Sequence, residues 1–144
     1  MATNKEFDQD ILLNKMAIIE KCIERIREVY DQQPENLKDF TLQDSIVLNI
    51  QRAAEASIDL AMHLVSSMKL GLPQHSRDAF QLLHEHDLID EVLYERMTNM
   101  VGFRNIAVHD YQKINLVILQ KIVDQHLTDF EDFTASVKRI FERS

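Results

Sequence analysis

Hydrophobic residues recur at three- and four-residue intervals through most of this chain, the period that lines one face of an α-helix. In the first stretch Ile11, Ile18, Cys22, Ile26 and Val29 keep that spacing, joined by Leu12, Met16, Ile19 and Ile23. This predicts a helix from about Phe7 to Tyr30, ended by Gln32–Gln33–Pro34, because proline lacks a backbone N–H and pushes its predecessor out of helical geometry. A second helix is expected to start near Thr41, with Asp44 three residues on as a weak capping box. Its core stripe is Ile46, Ile50, Ala53, Ser57, Leu60 and Leu64, and Gly71–Leu72–Pro73 closes it. Ser76 is a candidate cap for a short helix from Arg77 to about His86. A fourth opens near Asp90 and carries Val92, Leu93, Met97, Met100 and Val101.

Beyond Tyr111 the pattern restarts at Asn115, a candidate N-cap, with Leu116, Ile118, Leu119, Ile122 and Val123 expected to pack inward. Thr128 with Glu131 reads as another capping box, so a break or kink is expected around His126–Thr128. The last helix, Phe130 to Phe141, is amphipathic through Phe133, Val137 and Ile140. No strand pattern interrupts the series. The expected fold is all-α: one antiparallel bundle of five to six helices over residues 1–144, a single domain.

The helical rhythm changes once, at Met100–Val101–Gly102–Phe103–Arg104–Asn105–Ile106–Ala107–Val108–His109–Asp110–Tyr111. Arg, Asn, His and Tyr fall within eight residues there, beside one of only two glycines in the chain. Val101, Phe103, Ile106 and Val108 are expected to anchor the segment. Arg104 and His109 lie about 140° apart on a continuous helix, and Tyr111 about 200° further round. The three converge only if the helix ends near Val108.

Composition narrows the function classes. Two Gly and two Pro are too few for an all-β fold of many turns. No apolar run approaches the roughly 18 residues of a membrane span, and charges at Lys5, Glu6, Asp8 and Asp10 argue against a secretory signal. Cys22, the lone cysteine, sits on an apolar helical stripe and reads as core. A cytoplasmic location is expected. The net charge of −8 argues against a broad nucleic-acid-coating surface. From Arg96 to Lys113, however, the charges Arg96, Arg104, Asp110 and Lys113 sum to +2, leaving −10 elsewhere. The central stretch is a cationic island.

Arginine grips phosphate oxygens bidentately and keeps its charge. Histidine moves a proton near neutral pH. Asn105 can orient either neighbour, and Tyr111 can stack on a base or donate a hydrogen bond. Together they suit phosphodiester chemistry, although an Arg–His pair alone is more often a surface arginine and a satisfied histidine. Other enzyme signatures are missing: no Glu-x-x-His, no His-Glu-x-x-His, no Gly-rich phosphate loop. His84 and His86, about 200° apart, are poorly placed to share a metal and read as surface residues. On the second helix Arg52, Glu55, Asp59 and His63 share one face, either a solvated charge ladder or one wall of a cleft.

The Arg104-x4-His109-x-Tyr111 pattern resembles the motif of the HEPN superfamily, and the whole segment from Met100 to Tyr111 is similar to HepT-type toxins. The likeness extends to Asn49–Ile50–Gln51–Arg52–Ala53–Ala54–Glu55–Ala56–Ser57–Ile58–Asp59, and to Gly71–Leu72–Pro73 with Ser76–Arg77–Asp78–Ala79–Phe80. It covers most of the chain. The resemblance implies a helical bundle forming a two-fold homodimer with both motifs in one cleft. It also implies a metal-independent endoribonuclease without cofactor. Arg104 would stabilise the phosphorane, His109 would act as general base or acid on the ribose 2′-OH, and Asn105 would position them. The implied partner is a minimal nucleotidyltransferase antitoxin that silences the toxin by attaching AMP to Tyr111. RNA is the implied substrate, with neither DNA nor membrane expected. Arg52, Glu55 and Asp59 become candidates for the opposite wall of the dimer cleft. Two other classes stay open: a non-catalytic helical module that binds nucleotide or RNA, and a structural subunit of a nucleotidyltransferase complex.

Overall fold

In the computed structural model, which describes residues 4–143 with side chains from residue 9 onward, the backbone is helical almost throughout. Helix α1 spans Asn4–Tyr30 and α2 spans Phe40–Met68. They run antiparallel, since Lys15 meets Asp59 at 3.0 Å while Cys22, about two turns later on α1, lies beside Arg52, about two turns earlier on α2. Asp31 and Gln32 take left-handed backbone angles after Tyr30, and Pro34–Lys38 forms a 3-10 turn. The α2 cap is Asp39, whose carboxylate accepts from the Leu42 N–H at 3.1 Å. Thr41 is therefore already helical, and Asp44 is released from the capping role expected of it.

Helices α3 (Ser76–Glu85) and α4 (Glu91–His109) pack against α2 from the other side. Asp78 accepts from the N–H groups of Gln74 and His75, so the α3 start is closed by Asp78 and His75, not by Ser76. Asp90 caps α4 through the Leu93 N–H at 2.8 Å. Helix α5 (Leu116–Lys121) is capped by Asn115 as expected. A π turn, Ile122–His126, then joins it to α6 (Leu127–Arg143). No new cap forms at Thr128. The interruption lies one turn earlier than expected, and the helix continues through it.

The core is one contiguous cluster drawn from every α-helix. Ile46, Ile50, Ala53, Ser57, Leu60 and Leu64 are all buried, and so is Cys22. Phe80 and Phe133 meet edge to face, 5.3 Å between ring centres, tying α3 to α6. The end of α1 is fastened by the buried Tyr30, whose hydroxyl donates to Asp124 in the π turn at 2.6 Å. Inward packing fails at Leu116 and Ile118, which are exposed along with Val117, and at Ile106 and Val108 on α4. His84 is half-buried, stacked on Tyr94, while His86 is exposed as expected. No helix among the described residues is long and apolar enough to cross a membrane.

Candidate functional site

Helix α4 ends at His109, one residue beyond the point that convergence required. Asp110 leaves helical geometry with φ −156° and ψ 58°. Its N–H still closes on the Ile106 carbonyl at 2.8 Å. Tyr111–Lys113 then forms a 3-10 turn, with Lys113 paired to Asp110 at 3.0 Å. His109 is the last helical residue and keeps its angle of about 140° to Arg104, whereas Tyr111 leaves the helical register.

Arg104 points from α4 toward the start of α3. Its Nη2 donates to Ser76 Oγ at 3.1 Å, and this is where the serine freed from capping is used. Its Nε is buried and has no hydrogen-bond partner among the described residues. Arg77 sits alongside. A Cβ on Gly102 would fall 3.1 Å from Arg77 Nη2, so the glycine on α4 lets that guanidinium lie against the motif helix. Neither arginine has an acidic partner among the described residues, in a chain carrying 24 Asp and Glu. By contrast, Arg96 meets the buried Asp129 at 3.5 Å. A guanidinium that no carboxylate neutralises attracts an anion, and the Arg104 Nε–H is a buried donor without an acceptor among the described residues.

His109 is exposed and makes no hydrogen bond or ion pair among the described residues; Asn105 is half-buried and equally free. Tyr111 is not free. Its hydroxyl donates to Asp44 on the first turns of α2, across 67 positions of sequence. Partial burial, then the hydrogen bond to the Asp44 carboxylate and its charge, push the phenol up to about 12. Within one chain Arg104 thus engages α3 and Tyr111 engages α2, and no hydrogen bond or ion pair among the described residues joins the side chains of Arg104, Asn105, His109 and Tyr111 to one another.

Arg52, Glu55 and Asp59 stand apart from the motif. Asp59 pairs with Lys15, Glu55 accepts from Gln51 at 2.9 Å, and Arg52 borders a groove between α1 and α2. Glu55 does share the outward face of α2 with Asp44, three turns away. A second groove, of about 430 Å³, runs between α4 and the α5–π segment. Gly102, Ile106 and Ile118 line it, with Arg77, Arg96 and Lys121 among its charged residues.

This arrangement has relatives. The sequence profile described as Ribonuclease HepT-like matches residues 19–137. The chain belongs to the HepT-like ribonuclease family. It is 50% identical over 129 residues to the mRNA nuclease HepT of Shewanella oneidensis, covering 90% of this chain and 97% of that one. Among solved structures, a toxin–antitoxin pair with AMP-PNP superposes with a TM-score of 0.87 at 49% identity, over 90% of this chain and 98% of the other. A tri-AMPylated HEPN toxin of Shewanella oneidensis, in complex with its MNT antitoxin, gives a TM-score of 0.86 at 50% identity with the same coverage. The all-α bundle of this family is the one that helical periodicity predicts.

Asp44, Ser76 and Arg77 are the site neighbours that the sequence does not assign. Ser76 and Arg77 lay within the stretch carrying the resemblance, but Ser76 read as a cap. Asp44 likewise read as a capping residue, and nothing local to it points to Tyr111.

Proposed function

We propose that this chain is a toxin that cuts RNA, acting as one domain within a two-fold homodimer and held in check by a nucleotidyltransferase antitoxin. The observation that carries the assignment is Arg104, a guanidinium that no carboxylate neutralises, placed on the motif helix. Arg104 has no acidic partner among the described residues and its buried Nε–H lacks an acceptor, on the helix that ends in His109, while Arg77 lies against Gly102 of the same helix. RNA supplies its own nucleophile in the ribose 2′-OH. The chain then needs only a proton acceptor, a proton donor and charge stabilisation at phosphorus.

His109 takes the 2′-OH proton as that oxygen attacks phosphorus. Arg104 holds the non-bridging oxygens as negative charge grows on the phosphorane. The 5′ oxygen leaves with a proton, giving a 2′,3′-cyclic phosphate and a 5′-hydroxyl. Asn105, one residue from Arg104, orients the pair. None of these steps calls for a metal. The exposed apolar residues Ile106, Val108, Leu116, Val117 and Ile118 support pairing of two chains around the motif, with Arg52, Glu55 and Asp59 as candidates for the far wall. Tyr111 is the proposed point of AMP attachment, where a bulky anion would exclude the RNA phosphate.

The test is RNA cleavage by the purified chain in EDTA, with cleaved ends mapped. Arg104→Ala and His109→Ala should each lose at least about 100-fold in kcat while remaining folded, the scale of a lost general base or charge-stabilising donor. Folded variants that cut at the parent rate would refute the assignment. An RNA pool left intact by the parent, with RNA binding retained, would favour a non-catalytic module instead.

A further inference from the structure

Tyr111 is held by a residue that no part of the cleavage chemistry uses. Asp44 lies two turns into α2, its cap function taken by Asp39, and its one polar side-chain contact among the described residues is the Tyr111 hydroxyl. The carboxylate is exposed, so the contact contributes little to the core and is open to an approaching partner. We propose that Asp44 is the general base for modification of Tyr111, so that the toxin itself contributes a catalytic group to its own silencing. This rests on the reading of Tyr111 as the point of AMP attachment.

Partial burial and the contact with the Asp44 carboxylate hold the Tyr111 phenol above its usual range, so phenolate is scarce at neutral pH and a base on the hydroxyl speeds transfer. The proton has to leave as the new bond forms, and the acceptor already on it is Asp44. In the step, Tyr111 Oη forms a bond to the α-phosphorus of a nucleoside triphosphate. The bond from that phosphorus to the β-phosphate oxygen breaks, and pyrophosphate departs with the electron pair. The hydroxyl proton passes to the Asp44 carboxylate and on to solvent. No electron is gained or lost overall. The product places a phosphodiester anion beside a carboxylate, and like charge drives the Tyr111–Lys113 turn off α2. Asp44 so acts once. On a chain of AMP units grown from one tyrosine, only the first bond is made at the phenol; later ones form on a ribose hydroxyl out of Asp44's reach.

The experiment follows AMP incorporation by intact mass, using the full-length toxin, its nucleotidyltransferase partner and ATP. The substitution is Asp44→Asn, which keeps an oxygen that accepts from Tyr111 but cannot take its proton. The first addition should slow by about 10²–10⁴-fold, the usual contribution of a positioned base. Once-modified toxin should fall relative to further-modified toxin, because the later additions keep the parent rate, and Asp44→Glu should restore part of the first rate. An Asn variant modified at Tyr111 at the parent rate overturns the role of Asp44 and leaves the cleavage assignment standing. Equal slowing of every addition overturns it too, since that marks a docking or folding role. If the parent carries its adduct elsewhere than Tyr111, the assignment of Tyr111 itself fails, and this proposal with it.

Discussion

Gly102→Ala separates stability from activity at the site. A glycine inside a helix costs about 1 kcal/mol relative to alanine, chiefly through backbone entropy. Gly102 lies well within α4, its backbone is helical, and no positive φ demands a glycine there. The obstacle is the Arg77 Nη2, 3.1 Å from where the new Cβ would stand. That contact is a few tenths of an ångström too close. It involves the far end of a flexible, exposed side chain, not backbone, so the guanidinium can move aside at little cost. The fold should gain about 0.5–1 kcal/mol, or about 2–4 °C in Tm for a chain of this size. Arg77 then no longer lies against α4 at Gly102. RNA cleavage should fall several-fold in kcat/KM, and the dependence of RNA binding on log salt should flatten by up to about one unit, as for one lost phosphate contact. Thermal unfolding and a salt titration of RNA affinity check both halves. A variant destabilised by more than about 1 kcal/mol would show that Arg77 is locked. A stabilised variant with parental cleavage and salt slope would remove Arg77 from the RNA site.

Two further outcomes follow from polar contacts at the edge of the core. Tyr30→Phe deletes the bond to Asp124 that fastens α1 to the π turn, and should cost about 1.5–3 kcal/mol in urea unfolding with an unchanged m-value; a loss below about 0.5 kcal/mol would refute that fastening role. Burial pushes the Asp129 carboxyl above the usual carboxylate range, against the opposing pull of His126 at 2.9 Å and Arg96 at 3.5 Å, with Asp132 adding to the rise. The folded state therefore binds its proton more tightly than the unfolded state does, and the associated stability, present in acid, is lost as pH rises through the raised value. Asparagine has no proton to lose, so the Tm of Asp129→Asn relative to the parent should improve between about pH 4 and pH 7, and a pH-independent difference would contradict the shift.

Helix positions were legible because burial repeats with the helical period. The Ile46–Leu64 stripe needs nothing beyond its own spacing, and every member is buried. The motif was legible because Arg104, His109 and Tyr111 are close in sequence, and the condition that the helix end near Val108 followed from angles alone. The capping roles were not. Asp39 and Thr41 are both chemically able to open α2, and a shift of two residues decides whether Asp44 is part of a cap or free for Tyr111. The same ambiguity between His75 and Ser76 hid the partner of Arg104. Both long-range contacts depend on how α2 and α3 rotate against α4, and that rotation is set by packing between helices.

The outward apolar residues carry the same lesson to the question of pairing. Leu119, Ile122 and Val123 occupy an arc of about 100° on the α5 rod, and Leu116, Val117 and Ile118 fall outside it. No single orientation could bury all six, so helical periodicity alone shows that part of this apolar run had to face outward. Ile106 and Ile118 flank one groove, and Val108 is exposed one residue before His109. Solvent is a poor neighbour for so much apolar surface beside a histidine that has no partner of its own. In the proposed dimer both deficits are met at once: a second copy covers the apolar rim, and its motif stands opposite the first. Each chain then needs to present Arg104 and His109 in only one direction. Tyr111, drawn aside by Asp44 on α2, stays at the edge of the cleft, where an antitoxin can reach it without parting the two chains.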